Sequence, residues 1–117
     1  MRCLFAALAA AALLAPGAAV AGDYAPMSCA KAKSAAEKTI CKDYGLGQLE
    51  ARMATLYAVA TSLVAMGQRG DMQGAQRDFL QERENCGADA ACITKKYNAR
   101  IADLQGTINQ IASRGPF

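Results

Sequence analysis

The sequence predicts an all-α fold: a small, disulfide-stapled helical bundle in which a short N-terminal helix precedes three longer helices, the last two forming a hairpin. Three observations carry this expectation. Apolar residues recur at three- and four-residue steps in three long stretches. No stretch shows the alternation with period two that marks a half-buried strand. Four cysteines remain once the first residues are set aside as a leader.

The leader reading rests on Arg2, the apolar run from Cys3 to Leu14, and the small residues Ala19, Val20 and Ala21, the layout of a cleaved secretory signal. The apolar run is well short of the roughly 20 residues that a spanning helix needs, and Pro16 and Gly17 follow it. No stable membrane insertion is therefore expected after cleavage, and no Cys follows the small-residue site to carry a lipid. The expected organisation is a signal at residues 1–21 and a single domain at 22–117. Of the 117 residues, 117 − 21 = 96 then remain, and loss of Arg2 takes the charge from +3 to +2. An even cysteine count in an exported chain this small points to a disulfide framework, because so small a core is marginal by itself. The compartment implied is periplasmic or secreted.

Taken in order, the mature chain first carries Cys29 and Cys41. One continuous helix between them would hold them about 18 Å apart, far beyond a disulfide's reach. Ser34 and Glu37 match a capping box, so a short helix should start at Ala35, with residues 29–33 running back alongside it. The next helix reads from Leu46 through Leu49, Met53, Leu56, Ala60 and Leu63, with Tyr57 and Val64 widening the stripe and Asp43 capping its start. It should end near Met66. Gly67 to Asp71 then reads as a turn, with Asp71 capping the third helix. Met72, Ala75, Phe79, Leu80, Arg83 and Cys86 form that helix's stripe. Gly87 suits a left-handed residue at its end, and Asp89 is placed to cap the fourth helix. Ile93, Tyr97, Ile101, Leu104, Ile108 and Ile111 form the last stripe, which should fray beyond Ile111. Local pairing of Cys29 with Cys41 and of Cys86 with Cys92 is the first choice among the three connectivities that four cysteines allow.

The composition excludes several classes of function. There is no His, no Gly-rich phosphate loop and no Ser in a nucleophile setting, so no enzyme is expected. Asp78 and Glu82, four apart on one helix, read as a solvated face before they read as paired catalytic carboxylates. The cysteine spacings do not suit zinc, whose sites use close pairs, and neither metal nor cofactor is expected. A helix N-terminus lowers a thiol pKa and would favour a redox role for Cys92, but an exported chain favours a structural disulfide. The basic residues lie among acids with no interleaved aromatics, so nucleic acid is not an expected partner. Tyr57 and Tyr97 should bury their rings with the hydroxyls at the core's edge. Arg77, Arg83 and Arg100 should lay their stems over the core and meet nearby acids such as Asp103.

Two blocks of residues resemble the LprI-like lysozyme-inhibitor domain family of small exported bacterial proteins. The first comprises Cys29, Ala30, Lys31, Ala32, Lys33, Glu37, Ile40, Cys41, Leu46, Leu49, Glu50 and Tyr57. The second comprises Gln76, Arg77, Phe79, Leu80, Arg83, Cys86, Cys92, Tyr97, Arg100, Ile101 and Leu104. The family usually has Asp in place of Glu50 and often Trp in place of Phe79. The resemblance implies a protein partner, lysozyme, bound so as to block its hydrolysis of peptidoglycan. Asp78, Glu82, Glu84 and Asp89 around the hairpin corner are the candidate contact face, and Arg77, Phe79, Arg83, Tyr97 and Arg100 the scaffold motif. The competing expectation is a periplasmic helical scaffold or interaction protein with no lysozyme activity, one version of which pairs with itself through the stripe of residues 46–64.

Overall fold

The computed structural model describes residues 27–115; the expected signal at 1–21 lies outside them. A 3-10 turn at Cys29–Lys31 leads into α1 (Ala35–Lys42), α2 (Tyr44–Leu63), α3 (Met66–Asn85) and α4 (Ala90–Ala112). The architecture is the expected bundle of one short and three long helices, with no strand among the described residues.

Each helix start has a local chemical cause. The Ser34 hydroxyl accepts from the Glu37 amide at 3.0 Å while the Glu37 carboxylate accepts from the Ser34 amide at 3.1 Å and the Lys33 amide at 2.7 Å. Those two backbone donors, Lys33 first and then Ser34, hold the Glu37 carboxyl below its ordinary pKa. Asp43 lies between α1 and α2 and accepts from the Leu46 amide at 2.9 Å, so α2 starts at Tyr44 and takes both Gly45 and Gly47 into its first turn. Gly87 adopts the left-handed φ of +57° that ends α3. The Asp89 carboxylate then accepts from the Cys92 amide at 3.0 Å to open α4.

The disulfides join Cys29 to Cys41, with Cα atoms 5.7 Å apart, and Cys86 to Cys92, at 5.6 Å. On a chain-entropy account the Cys29 loop contributes about 3 kcal/mol. That tie matters because the 3-10 turn at Cys29–Lys31 buries nothing of its own.

The break between α2 and α3 differs from expectation. α2 stops at Leu63, Val64 and Ala65 are extended, and α3 begins at Met66 with no side-chain cap, so Gly67 to Asp71 are helical rather than a turn. Two glycines weaken a helix by only about 1 kcal/mol each relative to Ala. Against that cost, an early start lets Arg69 reach back over the end of α2. Its Nε donates to the Thr61 carbonyl at 2.8 Å and its Nη2 to the Val64 carbonyl at 3.3 Å. A cation from α3 thus satisfies carbonyls that the end of α2 leaves open.

α3 and α4 form the expected hairpin, but α4 packs more extensively on α2 than on α3, and α1 touches all three. The stripes mostly face the core as read. Ile40, Leu46, Met53, Ala60, Phe79, Ile93, Tyr97, Ile101, Leu104 and Ile111 are buried, with Leu49, Leu56, Tyr57 and Ile108 packed at the edge. Ala75, Leu80 and Leu63, expected to face the core, are instead exposed. α3 meets its neighbours along a narrow strip through Met72, Phe79 and Arg83, which leaves the flanks of its apolar stripe in water.

Candidate functional site

Three ionisable or polar groups converge inside this core, one from each long helix. Glu50 falls on the buried side of α2, four residues after Leu46 and three before Met53. Arg83 is one turn after Phe79 on α3, and Tyr97 one turn after Ile93 on α4. Tyr97 is 0 % exposed and Arg83 4 %. The Tyr97 hydroxyl donates a hydrogen bond to the Glu50 carboxylate and accepts from Arg83 Nη1 at 3.1 Å. The same Nη1 lies 3.5 Å from the Glu50 oxygen, and Nη2 donates to Glu84 at 2.9 Å. Phe79 stands edge-on to the Tyr97 ring, centroids 5.3 Å apart at 63°. The Tyr97 hydroxyl is therefore inside the core and not at its edge. A buried carboxylate and guanidinium need further groups to complete their hydrogen bonds, and the phenol is the one that serves both.

The surroundings tune each group. Burial, then the adjacent Glu50 charge, pushes the Tyr97 phenol far above its ordinary range. Burial by itself disfavours the Arg83 cation, but Tyr97, Glu84 and Glu50 outweigh it and the guanidinium is held more firmly charged. Among the described residues, Arg83 Nε is a buried nitrogen without a hydrogen-bond partner.

A second polar cluster lies one to two turns away. Arg100 Nε donates to the Gln76 side-chain oxygen at 3.0 Å and Nη2 to the Met72 carbonyl at 3.3 Å, while the Gln76 amide meets the Met53 sulfur at 3.2 Å. The Arg100 head thus bonds to α3 and forms no ion pair with Asp103, because Gln76 and the Met72 carbonyl take its Nε and Nη2 donors. Burial lowers its pKa, opposed by the nearby Asp103 charge. Gln76, with Met53, gives α2 and α3 a polar link across the gap beside α4.

The acids expected at the hairpin corner are mostly engaged. Glu82 pairs with Lys96 at 2.8 Å, Glu84 with Arg83, and Asp89 caps α4. Asp78 is exposed and lines a groove of roughly 250 Å3 between α3 and α4, floored by Phe79, Ala75 and Ala99. A second groove of roughly 300 Å3 continues along the same helix pair past Asp71, Leu104 and Thr107, sharing Ala75, Arg100 and Asp103 with the first. Arg77 is exposed on α3, apart from both clusters. The structure therefore groups Arg83 and Tyr97 with Glu50, places Arg100 with Gln76, and does not bring the four corner acids to one free face.

Chemically, the Glu50, Arg83 and Tyr97 set acts as a lock on helix packing, for none of the three lines either groove. Among the described residues no cluster of His, Cys, Asp or Glu is suited to hold a metal ion. Reading residues in isolation missed Glu50 and Gln76, which entered only through the resemblance. The available signal was a charged or polar residue on each apolar stripe, with complementary partners on different stripes. Comparison with protein-family models, curated proteins and solved structures finds no match for this chain.

Proposed function

We propose that the chain is an exported protein-binding module that inhibits lysozyme by binding it and has no catalytic activity of its own. The observation that carries this reading is where the motif residues go. The cysteines, Glu50, Gln76, Phe79, Arg83, Tyr97 and Arg100 are spent on holding four helices in one arrangement, which leaves the outer faces of a rigid scaffold to do the work. The two disulfides support an oxidising, exported setting, and no described helix is long and apolar enough to cross a membrane.

The net charge, +3 for the whole chain and +2 after the expected loss of residues 1–21, gives no general attraction toward a cationic enzyme such as an animal lysozyme, so recognition has to be local. Asp78 is the corner acid engaged neither in an ion pair nor in a helix cap, and Asp71 and Asp103 line the α3–α4 grooves with it. The alternative of self-pairing through residues 46–64 is less well supported, because Leu46, Met53, Ala60 and Val64 are buried within the molecule.

The test is a titration of the oxidised protein against a panel of lysozymes, following cell-wall lysis at low and physiological salt. Saturable inhibition that survives physiological salt, weakened at least about tenfold by Asp78→Lys as expected for a lost central contact, is the expected result. Absence of inhibition at micromolar protein with both disulfides formed would overturn it.

A further inference from the structure

The α2–α3 turn has a composition unlike the rest of the surface. Residues 53–68 contain no charged side chain, although charges occur on both sides at Arg52 and Arg69. The turn also presents Val59, Leu63 and Met66 to solvent, with Met66 84 % exposed and Leu63 52 % exposed. Val59 and Leu63 are one turn apart on α2, and Met66 opens α3, so the three gather at one end of the bundle.

Its polar groups are largely turned inward. The Thr61 hydroxyl donates to the Tyr57 carbonyl and the Ser62 hydroxyl to the Val59 carbonyl, both at 2.7 Å. Arg69 covers the Thr61 and Val64 carbonyls, as described above. Such a tip loses few hydrogen bonds when water is removed from it, which is the main cost of burying a helix end.

We propose that this tip makes a shallow, reversible contact with the interface of an electrically neutral lipid bilayer, inserting Met66, Leu63 and Val59. Two features select that occupant. Three side chains offer far less than the roughly 800 Å2 per partner of a stable protein interface, so a second copy would not be held. The cation at the tip, Arg69, is half-buried with its guanidinium committed to the Thr61 and Val64 carbonyls, so it offers little to an anionic surface and attraction rests on apolar transfer. The amides that open α3 carry no side-chain cap. They confine the contact to the headgroup level, where water and lipid oxygens still accept their hydrogen bonds.

The chain has no Trp, so Met66→Trp places a single emission probe at the tip of the whole oxidised protein. Titration with phosphatidylcholine vesicles should shift its emission to the blue by an amount unaffected by salt between about 0.05 and 0.3 M, over which range electrostatic attraction is strongly screened. In co-sedimentation of the unlabelled protein, Leu63→Glu should lower partitioning at least about tenfold, as expected for a charge in place of an inserted Leu. Leu80→Glu, at an exposed apolar site elsewhere, should leave it unchanged. No blue shift, binding that disappears with salt, or equal loss in both glutamate variants would overturn the proposal. A concentration-dependent dimer abolished by Leu63→Glu would overturn it in favour of a second copy.

Discussion

Replacing Tyr97 by Phe removes one oxygen from the centre of the bundle and leaves the ring against Phe79. The hydroxyl serves two buried partners, donating to Glu50 and accepting from Arg83 Nη1. Its loss leaves a buried carboxylate short of a donor, a cost of about 1–3 kcal/mol for a group that solvent cannot reach. Two effects set where in that range the change falls. Arg83 Nη1 already stands 3.5 Å from the Glu50 oxygen and can close toward it, which limits the loss. Arg83 Nε is already unpartnered, so the network has little slack to share. We expect about 2 kcal/mol, less than the 3–5 kcal/mol typical of breaking a buried ion pair by removing one partner, as Glu50→Ala would do.

The measurement is urea unfolding of the oxidised protein at pH 7, with Tyr57→Phe as a control at a half-buried ring. The pH dependence adds a second readout. The native Tyr97 pKa is raised above its ordinary 10. The stability linked to that shift is fully present below about pH 10 and is lost as pH rises through the native value. The gap between the native chain and Tyr97→Phe should therefore narrow on the alkaline side. A change under about 0.5 kcal/mol at pH 7, the range of ordinary surface substitutions, would refute the view that the phenol holds the three helices together.

Two further outcomes follow from the helix ends. Arg69→Met keeps the stem but removes the donors to Thr61 and Val64, and should cost about 1–2 kcal/mol with faster amide exchange concentrated at residues 64–69; uniform exchange across the bundle would contradict a local cap. For Glu37→Gln, the native carboxyl lies below its ordinary 4.5, so the stability from the charged cap is present above that value and fades as pH falls through the lowered one. The variant should be less stable than the native chain at pH 7 in thermal unfolding, and the difference should close in acid.

The local events are legible in the sequence. Ser34 with Glu37, Asp43, Gly87 and Asp89 each act on backbone groups within four residues, so their chemistry is written in neighbouring positions. The three long stripes likewise follow from helical period, and with them came nearly all of the core. Cysteine spacing favoured the two local bridges on similar grounds, since both pairs close within a single corner or a single turn-back.

What lies between the stripes depends on how the helices pack. Nothing near Glu50 announces Tyr97, which is 47 residues away, or Arg83, and the three become partners only because α4 lies along α2 while α3 approaches from the side. The α2–α3 break carries the same lesson. Gly67 and Gly70 permit a turn without requiring one, whereas the break at Val64 and Ala65 is set by the burial of Val64 and the reach of Arg69 across the gap. Caps and period depend on bonds made within a turn of helix, while buried charge pairing depends on which helix faces come together, and that is decided by the whole bundle at once.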